Sequence, residues 1–393
     1  MRLPALAALL VAGCSAAVQP TGSAAPVTRA APYSAATRVA WDGATLRRLY
    51  DGPASYPRMI RLRSGALLCS FESAGASLVI RSDDDGTTWS APVVAAAREG
   101  GVAAAVPSLL QLRSGTVLLA YNPRPPADNR DPSRHFAIRV EASEDGGRTW
   151  SDRATVFQAG YEWGRGIWEP AMVQLPSGEI QLFAANEWPH AQDDDQEISR
   201  FRSWDDGRSW SAPERVSYRA GHRDGMPVPL LLKDGGLVVA IEDDGLVAGP
   251  FKPVLLRLPG DGSALDEPIS GASPARRAAL ADGARLPVGA YAGAPYLAQF
   301  PTGETLLSFQ SNAGRGGEWT NSTMVVAVGD RDAGDFGRAT RPFPVPNGRR
   351  ALWGSLFVRD SSTVTALTTT NAFDPARQEL WAIDGRRIAT PQE

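Results

Sequence analysis

The chain has little of several things that would direct it toward other fold and function classes. Its 393 residues hold two cysteines, Cys14 and Cys69, too few for a disulfide framework. The three histidines, His135, His190 and His222, are scattered without ligand spacing, so no metal site and no cofactor are expected. Forty basic residues stand against 43 acidic ones, a formal charge of −3, which leaves no electrostatic footprint for nucleic acid. No apolar run is long enough to span a bilayer as a helix, and no amphipathic helical segment of convincing length is present. A phosphate-cradling glycine loop, a nucleophile elbow and a dinucleotide fingerprint are also missing. What is plentiful is glycine (39), proline (31) and tryptophan (11), a composition that suits a turn-rich all-β chain.

One frame recurs through the chain. In Pro170-Ala-Met-Val-Gln-Leu-Pro-Ser-Gly178-Glu-Ile-Gln-Leu, a proline opens an apolar strand, a polar turn brings a glycine eight residues later, and a second apolar strand follows. The same frame begins at Pro57 with Gly65, at Pro107 with Gly115, at Pro227 with Gly235 and at Pro295 with Gly303. A sixth copy starts at Gly354 and has Ser362 in the glycine place. Each copy reads as a β-hairpin whose turn needs the positive φ that glycine tolerates. The intervals between starts, 50, 63, 57, 68 and 59 residues, leave room for four short strands each. That spacing predicts an all-β, six-bladed β-propeller closed as one ring rather than several domains.

The amino terminus is separate. Met1-Arg2 is a minimal positive region, Leu3 to Ala12 is a short apolar run, and Val11-Ala12-Gly13-Cys14 closes it. This resembles a bacterial lipoprotein signal, which implies a signal over 1–14 ending at a lipidated Cys14. An ordinary signal peptide that happens to contain Cys14 is the alternative, and both imply export. Residues 15–38, rich in Ala, Pro, Ser and Thr, read as a flexible tether. Residues 39–393 are then the propeller, a monomer held at the cell envelope, touching membrane only through its anchor.

The first three repeats carry a second signature downstream of the hairpin. Ser82-Asp-Asp84-Asp-Gly86-Thr-Thr88-Trp89, Ser143-Glu-Asp145-Gly-Gly147-Arg-Thr149-Trp150 and Ser203-Trp-Asp205-Asp-Gly207-Arg-Ser209-Trp210 share the frame Ser-x-Asp-x-Gly-x-Thr/Ser-Trp. Physically the frame is a turn, with Ser and Asp binding nearby backbone N–H groups and Trp packing beneath. The three stretches resemble the Asp-boxes of sialidases and related propeller glycosidases. In those proteins the box is a structural turn on the outer rim, so Asp84, Asp145 and Asp205 are expected to be structural. Repeats four to six lack a clear box, and Gly260 to Asp282 reads as a long insertion.

The chemistry is sought where the inner strands open. In an antiparallel hairpin the first strand begins and the second ends on the same face of the disc. Residues just before each proline (Tyr56, Val106, Glu169, Met226, Ala294) should therefore approach those about fifteen positions after it (Glu72, Asn122, Ala185, Glu242, Gln310), with Asn186 and Glu187 just beyond. Glu169 and Glu242, on adjacent blades, make the carboxylate pair that glycosidic cleavage needs. Asn122, Asn186 and Gln310 are polar residues at the ends of apolar strands, suited to a funnel. Glu72, Arg58 and Tyr291 are further candidates for binding sugar. Trp168 and Trp353 flank repeat starts and offer rings on which sugars stack. Each glutamate has a plainer alternative, an ion pair with a nearby arginine such as Arg58 or Arg165.

The contexts Trp168-Glu169-Pro170, Gly225-Met226-Pro227-Val228 leading to Glu242, and Gly293-Ala294-Pro295-Tyr296 resemble the exo-arabinanase-like propeller glycosidases, glycoside hydrolase family 93. The resemblance implies Glu169 as general acid/base and Glu242 as nucleophile of an exo-acting, retaining hydrolase on arabinan-like oligosaccharide or polysaccharide fragments. A sialidase is the competing reading. Its first blade would carry Arg-Ile-Pro, whereas this chain has Ser55-Tyr56-Pro57, with Arg58 beyond the proline as a doubtful substitute. A non-catalytic glycan-binding propeller remains the third.

Overall fold

The computed structural model describes residues 37–190 and 192–389, so the lipoprotein-type leader with Cys14 lies outside the described residues. Strands dominate the chain and form six antiparallel sheets of four strands, the last with one added strand. Their innermost strands are Ser55–Arg61, Ala103–Gln111, Ile167–Gln174, Asp224–Leu231, Ala292–Gln299 and Ala351–Val358. Each contacts the inner strand of the next sheet, and the sixth contacts the first, so the sheets are the blades of a closed propeller. Blade 6 is completed by Thr37–Trp41, which pairs with Glu379–Ala389 from the other end of the chain. That strand begins two residues inside the stretch read as tether.

The hairpin frame folds as its composition dictates. Gly65, Gly115, Gly178, Gly235 and Gly303 all have φ between 92° and 110° at the turns. The N–H of each bonds back to the carbonyl of Leu62, Leu112, Leu175, Leu232 or Phe300. Blade 6 manages without glycine because Oδ1 of Asp360 accepts from the N–H groups of Ser362 and Thr363. Strands such as Ile180–Asn186 are buried along their whole length, since neighbouring blades cover both faces. This accounts for the continuous apolar runs. The stretch read as an insertion, Gly260 to Asp282, instead contains Arg276–Ala278, the outermost strand of blade 4.

The Asp-boxes are turns at the ends of third strands. In each, the serine hydroxyl donates to the aspartate at 2.7–2.9 Å and accepts from the glycine N–H. The other carboxylate oxygen accepts from the Thr or Ser hydroxyl at 2.6 Å. These donors hold the carboxyls of Asp84 and Asp205 down to about 2, and Asp145 lower still.

A second repeated device was not visible in the sequence. Each inner strand breaks register at the same place, between Ser55 and Arg58, Ala105 and Ser108, Trp168 and Ala171, Gly225 and Val228, Gly293 and Tyr296, and Leu352 and Ser355. The residue before the proline, or before Gly354, is left-handed in all six blades. Tyr56, Val106, Glu169, Met226, Ala294 and Trp353 have φ from 49° to 53°. Such a conformation costs non-glycine residues about 1–3 kcal/mol each, and the flanking ladders hold it. Tyr56, Val106, Met226 and Ala294 pack with Trp353 into one apolar cluster at the centre. The remaining member of this ring is Glu169.

Candidate active site

Above the ring opens a cavity of about 810 Å³, lined among others by Tyr56, Trp168, Glu169, Met226, Glu242, Tyr291, Gln310 and Trp353. The bulge is what brings Glu169 here. It removes one residue from the pairing, so the residue two before the proline faces the one fifteen after it, as in Gly225 opposite Glu242 and Gly293 opposite Gln310. The looped-out residue is turned to the axis. In five blades that residue is hydrophobic, and three of the five, Tyr56, Met226 and Trp353, line the cavity. In blade 3 it is a carboxylic acid that accepts no hydrogen bond among the described residues. Burial, reinforced by the negative charge of Glu242, pushes the Glu169 carboxyl up to about 8.

Glu242 is held differently. Its Oε2 accepts from the backbone N–H of Ala294 at 2.8 Å and faces the hydroxyl of Tyr291 at 3.5 Å. Tyr291 in turn receives the Gln310 side-chain amide at 3.2 Å, and Gln310 accepts from the N–H of Trp353 at 2.8 Å. Burial raises the Glu242 carboxyl too, while the Ala294 N–H and the Tyr291 hydroxyl oppose that rise. Burial and Glu242 hold the Tyr291 phenol far above its usual range, so it remains a donor. Two donors to one carboxylate and none to the other favour the ionised form at Glu242 and the protonated form at Glu169. Oε1 of Glu242 accepts no hydrogen bond among the described residues. Glycines clear the space for this carboxylate, because a Cβ at Gly293 would collide with both Tyr291 and Glu242. A Cβ at Gly225 would press on Glu242 at 3.1 Å.

The clasp between Glu242 and the ring residue of the next blade recurs. Glu72 accepts from the N–H of Val106 at 3.4 Å, and Gln310 from that of Trp353. The residue fifteen after the proline thus has an inter-blade duty in four blades, Asn122 bonding to blade 3 through the carbonyl of Ile167, and only Glu242 and Gln310 among the four also line the cavity. Two ion pairs stiffen the walls. Arg124 donates to both carboxylate oxygens of Glu72, at 3.0 and 3.1 Å. Arg223 donates to Glu187 at 2.5 Å, and Glu187 also accepts from the N–H of Gly166. Arg124, Arg223 and Glu187 line the cavity. Trp163 and Trp319, on loops of blades 3 and 5, are 47% and 43% exposed and line it as well.

Of the sequence-predicted residues, Glu169, Glu242, Trp168, Tyr291, Gln310 and Trp353 share the cavity, and four do not. Asn122 is fully buried, and its amide donates to the carbonyls of Pro123, Ala137 and Ile167, so it ties blade 2 to blade 3. Asn186 is fully buried, bonded to Ser199 and to the N–H of Trp188. Glu72 reaches the site only through Arg124. Arg58 lies below the ring, donating to the carbonyls of Pro57 and Trp353. Asn122, Asn186 and Glu72 depart for one reason, that the strand end is right but the side chain is taken by a neighbouring strand, whereas Arg58 lies past the proline in mid-strand. Asp224, another residue near the funnel, is buried against Arg276. Sequence reasoning missed Arg124 as a wall residue, although it lies two residues past Asn122 at the end of a strand.

Residues 127–257 match the protein family described as a BNR repeat-like domain. No curated protein matches the sequence significantly. Among solved structures, a protein of unknown function from Dyadobacter fermentans superposes with a TM-score of 0.66 at 16% identity, covering 90% of this chain and 99% of that one. An α-L-arabinofuranosidase from Fusarium graminearum, bound to an iminosugar inhibitor, gives 0.64 at 20% identity, with 87% and 97% covered. An α-L-arabinanase of Penicillium chrysogenum, complexed with arabinobiose, gives 0.63 at 19%, with 88% and 98% covered. At these identities the likeness establishes a shared fold, a six-bladed β-propeller.

Proposed function

We propose that the protein is an exo-acting, retaining glycoside hydrolase that removes terminal units from arabinan-like oligosaccharides, with Glu169 as general acid/base and Glu242 as nucleophile. The observation that carries this reading is the unequal treatment of two carboxyls in one cavity. Glu169 is undonated and held protonated at neutral pH, while Glu242 is anchored through Oε2, with Oε1 accepting no hydrogen bond among the described residues. In the first step Glu169 gives its proton to the glycosidic oxygen as Oε1 of Glu242 attacks the anomeric carbon, forming a glycosyl ester and releasing the leaving alcohol. In the second, the Glu169 carboxylate takes a proton from water, the water oxygen attacks the anomeric carbon, and Glu242 is released. The apolar ring closes the cavity below, which suits a chain end, and Trp163 and Trp319 offer aromatic faces to the following sugars.

One feature favours the sialidase reading, the contact between Tyr291 and Glu242, since a sialidase funnel would hold a tyrosine–glutamate pair among three arginines. Against it, the cavity lining holds two arginines, each engaged by a glutamate, and Arg58 is beneath the floor. A screen of arabinan, other pectic fragments and sialosides, with products resolved by size and by NMR of the first-formed anomer, tests the assignment. Glu242→Gln should abolish turnover of the active glycan. Glu169→Gln should lower it about 10²- to 10⁴-fold, and far less on an aryl glycoside whose leaving group needs no proton. Undiminished turnover in both variants would reject the roles, and an inverted anomer would reject the covalent intermediate.

A further inference from the structure

Below the ring, on the propeller axis, lies a second cavity of about 60 Å³. Its walls come from the ring residues Val106, Glu169 and Met226 and those that follow them along the inner strands of blades 2 to 4, together with Arg58 of blade 1 and Tyr296 of blade 5. The volume suits a few waters, at about 15 Å³ each, or one small ion with water. Arg58 is half-buried, borders this space, and has its guanidinium pKa lowered by burial. One guanidinium nitrogen, Nη1, donates to the carbonyls of Pro57 and Trp353, and the guanidinium carbon stands 5.1 Å from the Tyr296 ring centroid. Nε and Nη2 have no hydrogen bond among the described residues. No carboxylate pairs with Arg58 among the described residues, in contrast to the fully buried arginines. Arg200 has Glu214, and Arg276 has Asp224 and Asp243. A partly desolvated cation without a counter-charge is unfavourable. The one acid in the cavity lining is Glu169, which the proposed mechanism keeps protonated at rest.

We propose that this axial cavity binds a monatomic halide, held by the free Nε and Nη2 of Arg58 with the Ser108 hydroxyl on the same wall. The remaining walls, Val106, Met172, Met226, Val228 and four prolines, favour a weakly hydrated single charge and leave no further cation for a polyvalent anion. The site rests on Arg58 and the cavity, and it stands whether or not the protein turns over a glycan. Its coupling to the site above does rest on the acid role of Glu169. A halide below would oppose ionisation of Glu169, which already faces Glu242 and Glu187 as like charges, Arg124, Arg223 and Arg58 as opposite ones, and the phenol of Tyr56. Halide affinity should therefore fall as the pH rises through about 8, where Glu169 ionises.

Crystals of the full-length protein soaked in sodium bromide are expected to show one anomalous peak in this cavity within hydrogen-bond reach of Arg58. Arg58→Gln should remove it. Ser108→Asp, which sets a fixed carboxylate on the cavity wall, should remove it too and decides the matter if Arg58→Gln does not fold. In solution, sodium bromide should raise Tm by about 1–3 °C over sodium gluconate at equal ionic strength, with the gain lost in both variants. Water alone in the wild-type cavity, or a peak that survives both substitutions, overturns the site. A bromide effect on Tm that keeps its full size above about pH 8 overturns the coupling to Glu169, whose replacement by Gln should remove any pH dependence.

Discussion

The outer-rim aspartates and the central glutamates carry the same functional group and are treated in opposite ways. At Asp84, Asp145 and Asp205 a short turn surrounds each carboxylate with donors from its own sequence neighbours, and the acid is held down to about 2 for Asp84 and Asp205. At Glu169 no donor arrives, the neighbours in the ring are apolar, a second carboxyl shares the cavity, and the acid is pushed up to about 8. The local motif that is easiest to recognise therefore marks the carboxylates least able to exchange a proton at neutral pH. The proton-holding one is set by burial and by charges that other blades bring to it, Glu242 first.

The comparison can be broken most sharply by activity. Glu169→Gln and Glu242→Gln should lose turnover with the propeller intact, while Asp145→Asn should keep wild-type kcat, measured on the same glycan. Equal losses at rim and centre would erase the distinction. The next largest effect is expected at Gly293, where alanine would drive Glu242 and Tyr291 from their places. We expect Gly293→Ala to lower kcat about 10²-fold with a smaller change in KM, since it displaces a reacting group rather than a wall.

Stability against pH separates the two regions by sign. Glu169 binds its proton more tightly folded than unfolded, so its contribution is complete below its ordinary value of 4.5 and is lost as the pH rises to about 8. The box aspartates are depressed, so theirs is complete above their ordinary value of 3.8 and is lost as the pH falls toward about 2. Glu169→Gln should accordingly raise Tm near pH 8 by roughly 1–3 °C and leave the acid side unchanged. The smallest effect is expected for Asp145→Asn, a Tm loss of about 1 °C at neutral pH and a flatter acid limb, both read by thermal melts across pH.

The hairpin frame and its intervals made the blades legible, because each copy needs only local turn chemistry and its own apolar strands. The convergence of Glu169 and Glu242 was legible for the same reason, since strand starts and ends in one register share a face. Asn122, Asn186 and Arg58 show where that reasoning stops. Polarity at a strand end predicts a polar partner, and whether the partner is a sugar or the next blade's carbonyl depends on packing across blades. The buried role of Arg276, within a segment read as insertion, has the same origin.

By itself the sequence determined a closed ring of six similar sheets, the glycine turns, the donor-rich boxes and the pair of acids at adjacent blade mouths, because these follow from periodicity and short-range hydrogen bonding. Only the tertiary structure decided that the residue before each proline is left-handed and turned to the axis, and that one of those six is an acid among apolar neighbours. A backbone state that is disfavoured locally is stabilised only when the ladders on either side and the blades around it leave no other.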